Sequence, residues 1–193
     1  DKEINMATTT FKGNVRSETG ITVFTTADNT GTETNTATID SSGNAAFTGT
    51  LTAKTPVVTI TTATYAVTAA QSGTTFIFAR AAGIVVTLPE LTAAASGEQY
   101  KFIVGTTFTG AGQINTGATA DLYSGFAIMS DPGTAGDTNT FIPDQSNDDT
   151  IDLGEIEQGW LSGGMITLTA QSATRWHCAA YLLGDATLAT PFE

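Results

Sequence analysis

Few side chains in this 193-residue sequence could carry out chemistry. His177 is the only histidine and Cys178 the only cysteine. They stand together in Thr174-Arg175-Trp176-His177-Cys178-Ala179-Ala180-Tyr181, whose alternation predicts a strand. Successive side chains of a strand leave opposite faces. Trp176, Cys178 and Ala180 are therefore expected inside, with Arg175, His177 and Tyr181 outside. A nucleophile and a base facing opposite ways cannot act as a pair, so Cys178 is read as a small buried core residue. One histidine and one cysteine also exclude a His/Cys zinc cluster and an intramolecular disulfide.

Carboxylates are the other candidates. Asp131, Asp137, Asp144, Asp148, Asp149, Asp152, Glu155 and Glu157 follow one another with no Lys or Arg among them. Oxygen-rich loops of this kind can hold Ca²⁺, and Asp148, Asp149 and Asp152 are the candidate ligands. Their spacing does not match an EF-hand loop, and a solvated acidic rim is the plainer expectation. A glycosidase pair would draw on the same acids, but nothing marks one as a general acid. The run Gly105-Thr106-Thr107-Phe108-Thr109-Gly110-Ala111-Gly112 lacks the lysine and following helix of a phosphate-binding loop. Trp160, Trp176, Tyr123 and Phe126 could form a sugar-stacking platform, against which stands ordinary core packing. This inventory favours binding over catalysis, and no enzyme activity and no catalytic residue are expected.

The elements that would position these groups are strands. Charged residues make up only 13% of the chain, and Thr is abundant while the usual helix builders are sparse. Beyond Pro56, alternating apolar residues predict strands around Val57–Ile60, Tyr65 and Val67, Phe76–Phe78, Ile84–Leu88 and Tyr100–Val104. More are expected near 120–129, 138–142, 164–169 and 174–183. Only residues 91–95 suggest a helical turn. About nine short strands with Gly-rich turns predict an all-β fold, with an antiparallel β-sandwich or jelly-roll-like head over residues 56–193. Residues 105–117 and 130–147 read as loops.

Residues 1–55 differ. Their large apolar side chains are scattered, and ordering a backbone costs roughly 1–2 kcal/mol per residue. Such a stretch cannot fold by itself, yet its Thr-rich alternation is β-prone. It is expected to be an extended arm of small strands and hairpins, ordered on a twin chain or another surface. Ile21–Phe24 reads as a strand before a turn at Asp28–Gly31, and residues 38–51 read as two short strands about a Ser-Gly-Asn turn. Phe11, Lys12, Val15, Arg16, Ile21, Val23, Phe24, Ile39, Phe47 and Leu51 are the candidate residues for contact with that surface or for self-association. Met6 looks like a natural start, which leaves Asp1–Asn5 as a tag remnant, an upstream start or a processing scar.

The net charge of −12 is uneven. Residues 1–55 hold four basic and six acidic groups, and residues 56–193 hold three and thirteen. So acidic a body repels phosphate backbones, which argues against nucleic-acid binding. No apolar run is long enough for a membrane helix, and no secretion signal is visible.

A resemblance adds to these readings. Residues 60–105 carry Ala63-x-Tyr65-x-Val67-x-Ala69-x-x-Ser72-Gly73-Thr74-x-Phe76, then Ala82-Gly83-Ile84-x-Val86-Thr87-Leu88-Pro89, then Gly97-x-x-Tyr100-x-Phe102. This pattern resembles β-rich modules of tailed-bacteriophage structural proteins, particularly capsid decoration (cement) or head-fibre proteins and some tail fibres. Residues 11–20 and 39–44 are similar to anchor and shaft elements of such proteins. The resemblance implies a homotrimeric virion protein on the outer capsid surface, partnered by the major capsid protein and without a cofactor. Its alternative implication is a tail fibre or receptor-binding protein that contacts host glycans.

Overall fold

Among the described residues, Thr, Val, Ile and aromatic side chains at alternate positions form fourteen strands, and helix is limited to single 3-10 turns at Ala69–Gln71 and Ala93–Ala95. The computed structural model describes residues 21–26, 33–39, 45–47, 54–134 and 137–193. It comprises two compact units, Asp1–Lys54 and Thr55–Glu193.

In the first unit, β1 (Ile21–Thr26), β2 (Glu33–Ile39) and β3 (Ala45–Phe47) form an antiparallel sheet in the order β1-β2-β3. Ile21 pairs with Ile39, Val23 with Ala37, and Ala37 with Phe47. An irregularity between Val23 and Phe24 brings Phe24 level with Asn35. Five candidate contact residues, Ile21, Val23, Phe24, Ile39 and Phe47, thus occupy matched register positions on three strands. Phe11, Lys12, Val15, Arg16 and Leu51 lie outside the described residues.

The second unit begins with β4 (Val57–Ile60), β5 (Thr64–Ala66), β6 (Thr74–Phe78), β7 (Val85–Thr87), β8 (Gln99–Val104) and β9 (Gln113–Asn115). These six alternate between two sheets. Strands β4, β6 and β8 pair parallel in one, and β5, β7 and β9 pair parallel in the other. Parallel neighbours need a crossover, which a helix usually supplies. Here a strand of the opposite sheet supplies it, so the chain winds between two sheets as a solenoid does.

The remaining strands are β10 (Leu122–Ser130), β11 (Thr138–Phe141), β12 (Thr150–Asp152), β13 (Met165–Ser172) and β14 (Arg175–Leu183). They complete a seven-stranded sheet, β11-β10-β14-β13-β8-β6-β4, and a four-stranded sheet, β12-β9-β7-β5. The antiparallel, jelly-roll-like pairing expected from sequence gives way to mixed sheets. Residues 61–63 show why: they carry the chain from β4 in one sheet to β5 in the other, so these two strands do not pair as a hairpin.

The core of this unit is one cluster drawn from both sheets. Across the larger sheet, register aligns Val58, Phe76, Phe102, Ile166, Ala180, Ala127 and Phe141, one residue from every strand. Across the smaller one it aligns Tyr65, Val86, Ile114 and Ile151. Phe76 and Phe102 stack with ring centroids 5.1 Å apart, and Tyr65 packs at 5.7 Å from Phe76. Phe78, Phe108, Tyr100 and Trp176 extend this aromatic seam. Two strands absent from the sequence reading, β9 and β12, each insert one fully buried isoleucine, Ile114 and Ile151.

The parallel β10–β14 pair depends on Gly125. Its φ is +101°, and a Cβ there would overlap the Cys178 carbonyl oxygen on the neighbouring strand. Both strands would have to separate to admit a methyl group. Gly125→Ala is expected to lower stability by about 3 kcal/mol, from overpacking and the positive φ together. Denaturant unfolding measures it, and an unchanged midpoint would contradict this packing.

Candidate functional surfaces

The His-Cys dipeptide is split by the strand as its alternation predicts. Trp176, Cys178 and Ala180 are fully buried, whereas His177 is exposed and Tyr181 is 55% exposed. Burial pushes the Cys178 thiol from its ordinary 9.0 up to about 12, the reverse of what activates a nucleophile. Of the candidate sugar platform, Trp176 and Tyr123 are wholly in the core, and Tyr123 donates a hydrogen bond to the Ile114 carbonyl at 3.0 Å. Neither can stack against a ligand. Trp160 is half-buried against the core, and Phe126 lies on the outer side of β10.

Several acids serve the loops. Asp148 is buried, and its carboxylate accepts the Asp144 amide at 2.6 Å. Asp131, also buried, accepts the Gly133 amide at 2.6 Å. Asp152 accepts the Gly154 amide at 2.7 Å and the Gln113 side-chain amide at 3.3 Å. Asp149 accepts the Thr150 hydroxyl at 3.1 Å. Asp144 accepts the amides of Ser146 (2.7 Å) and Asn147 (3.2 Å), which hold its carboxyl below the usual range. Sequence reasoning passed over Asp121, which is buried and ties the Leu91 amide at 2.9 Å. The acids thus cap turns between strands. Among the described residues, no three of His, Cys, Asp or Glu come together to hold a metal ion, the Asp148–Asp149–Asp152 set included.

The glycine-rich stretch 105–112 wraps a side chain. Phe108 is fully buried within it, and a Cβ on Gly112 would lie 2.7 Å from the Phe108 ring. Glycine is there for close packing, not for a phosphate. Two open grooves lie among the described residues. One, of about 270 Å³, is lined by Thr55, Thr74, Thr75, Gln99, Lys101 and Thr167. The other, of about 260 Å³, is lined by Asn115, Thr116, Ala118, Asp149 and Thr150. Neither joins a nucleophile to a base.

The outer face of the seven-stranded sheet stands apart. Register aligns Thr59, Ile77, Ile103, Met165, Tyr181, Ile128 and Thr140 into a second row, on the side opposite the core. Beside it runs the row of Val57, Thr75, Lys101, Thr167, Ala179 and Phe126, in which Val57 is 59% exposed. None of the seven strands contains Asp or Glu. A broad, partly apolar face free of acid therefore lies on a strongly acidic unit. Its sequence signal is an Asp/Glu gap in strand after strand, which becomes visible only once the strands are joined into one sheet.

No protein-family model matches the chain, and no curated protein matches it in sequence.

Burial also raises Tyr123 well above the ordinary phenol value. Tyr100 is raised too, by burial and by its 2.8 Å hydrogen bond to Glu98. A buried acid whose folded pKa is raised stabilises fully below its unfolded pKa, and that contribution is lost as pH rises through the folded value. Thermal stability is therefore expected to be unaffected by these groups up to about pH 9 and to fall between about pH 9 and 12, with Cys178 the first group involved. Melting curves with a thiol probe check this. Cys178 should label only as the protein unfolds, and rapid labelling of the native protein at pH 8 would contradict its placement.

Proposed function

We propose that this chain is a virion structural protein that decorates or cements the outer surface of a tailed-phage capsid. Residues 56–193 form a β-sandwich-like head, and residues 1–55 an arm that attaches it to the major capsid protein. The observation that carries this reading is the division of roles between the two units. In the head, the described histidine, cysteine and most of the acids named above are placed for packing or turn formation, and no reactive constellation emerges. In the first unit, the candidate contact residues that are described fall at matched positions of a small antiparallel sheet.

The phage-like pattern over residues 60–105 coincides with the wound part of the head. Val67, Phe76, Ile84, Val86, Leu88, Tyr100 and Phe102, larger apolar residues of the pattern, are buried, and Tyr65 packs against the core. The resemblance is thus one of core architecture, as expected of a scaffold whose task is to hold shape on a shell. A small arm sheet can bridge shell subunits by adding backbone hydrogen bonds and apolar contact at once. Lys12 and Arg16 are suited to acidic groups on the shell, and the acidic head keeps particles apart. The copies assemble as a homotrimer, and no metal or cofactor takes part.

Deletion of residues 6–55 is expected to abolish attachment to capsids while the head keeps its cooperative melting transition. Co-sedimentation with capsids lacking the protein, followed by calorimetry of the truncated chain, measures both. Attachment retained at wild-type level would overturn the anchor assignment.

A further inference from the structure

We infer that the outer face of the seven-stranded sheet is the surface through which copies of this chain associate. The inference rests on the self-association proposed above and is independent of where in a virion the protein sits. Three observations carry it, of which the first is charge. Residues 56–193 hold thirteen acidic groups, yet none lies in the seven strands, whereas Lys101 and Arg175 do. Elsewhere two copies approaching each other meet many like negative charges; here the charged strand residues are Lys101 and Arg175 alone. One lysine within the central rows is too sparse to recognise a phosphate backbone, which needs several cations along a track.

The second observation is the apolar content. Ile77, Ile103, Met165, Tyr181 and Ile128 form one unbroken row across five strands, with Phe126 and Val57 in the next row. Tyr181, at 55% exposure, stands proud near the middle. A rigid amphipathic ring in such a place suits an interface core, where tyrosine is enriched.

The third is area and edge chemistry. Seven strands about 4.8 Å apart span about 29 Å, and five residues at about 3.3 Å each span about 17 Å. The face thus offers about 500 Å² per copy, about 1,500 Å² over the three copies of the trimer. Growth by strand addition is discouraged at both edges of the sheet. Pro56 immediately precedes edge strand β4, and Pro143 lies two residues after edge strand β11. The face, not the edge, remains available to a second copy.

Analytical ultracentrifugation of the full chain across 1–100 μM tests this (concentrations of about this order suit micromolar-to-nanomolar association). The wild type is expected to sediment as an oligomer, and Tyr181→Glu, at a position 55% exposed, to weaken association about 100-fold. Lys101→Glu serves as a second variant should the first fail to fold, with far-UV circular dichroism confirming the fold of each. A monomeric wild type throughout the range would overturn the inference. So would an oligomer unmoved by either folded variant, which would place the contact elsewhere or with another partner. Neither result bears on whether the chain is found in virions.

Discussion

Parallel pairing between strands close in sequence is the constraint on which the larger unit depends. Two parallel neighbours cannot be joined by a tight turn, so the chain must leave the sheet and return. With almost no helix available, the return path is a strand in a second sheet, and each circuit places one strand in each layer. The stacked rings of Phe76 and Phe102, with Tyr65 reaching across from β5, sit where successive circuits meet. Register then follows, because slipping one residue would turn Phe76, Phe78, Phe102 and Val104 out of the core together.

The later strands extend and close what the winding begins. Strand β13 docks antiparallel on β8, β14 on β13, and β10 parallel on β14, carrying the buried row to Phe141. Gly125 permits the β10–β14 approach, and Phe192 bridges to Ile151 and packs near Tyr123. Polar groups that would otherwise be stranded under the loops are answered by Asp121, Asp131 and Asp148. An acidic run that suggests ion binding in one dimension is, in three, largely a set of turn caps.

Much of this was legible in the sequence because strand alternation is local. The inward faces of β6, β8 and β14 follow directly from Phe76/Phe78, Tyr100/Phe102/Val104 and Trp176/Cys178/Ala180. What alternation cannot reveal is which strand each one pairs with. A three-residue connection such as 61–63 reads alike as a hairpin or as a corner between sheets, so the parallel winding was not foreseen. Strands β9 and β12 were passed over because each has three residues and a single isoleucine, set among Gly, Asn and Asp. Tyr123 could be read as core or as part of a ligand platform because an aromatic type alone does not distinguish core from surface. The acid-free outer face is a property of the assembled sheet, since its members come from seven separate stretches of chain.

A wound β head and a small N-terminal sheet suit the structural role on a capsid proposed above. The most direct test is the number of copies per purified virion, measured against the major capsid protein by quantitative mass spectrometry. A copy number comparable to that of the shell subunits is the predicted result. A few copies per particle, or none, would contradict the decoration of the capsid surface.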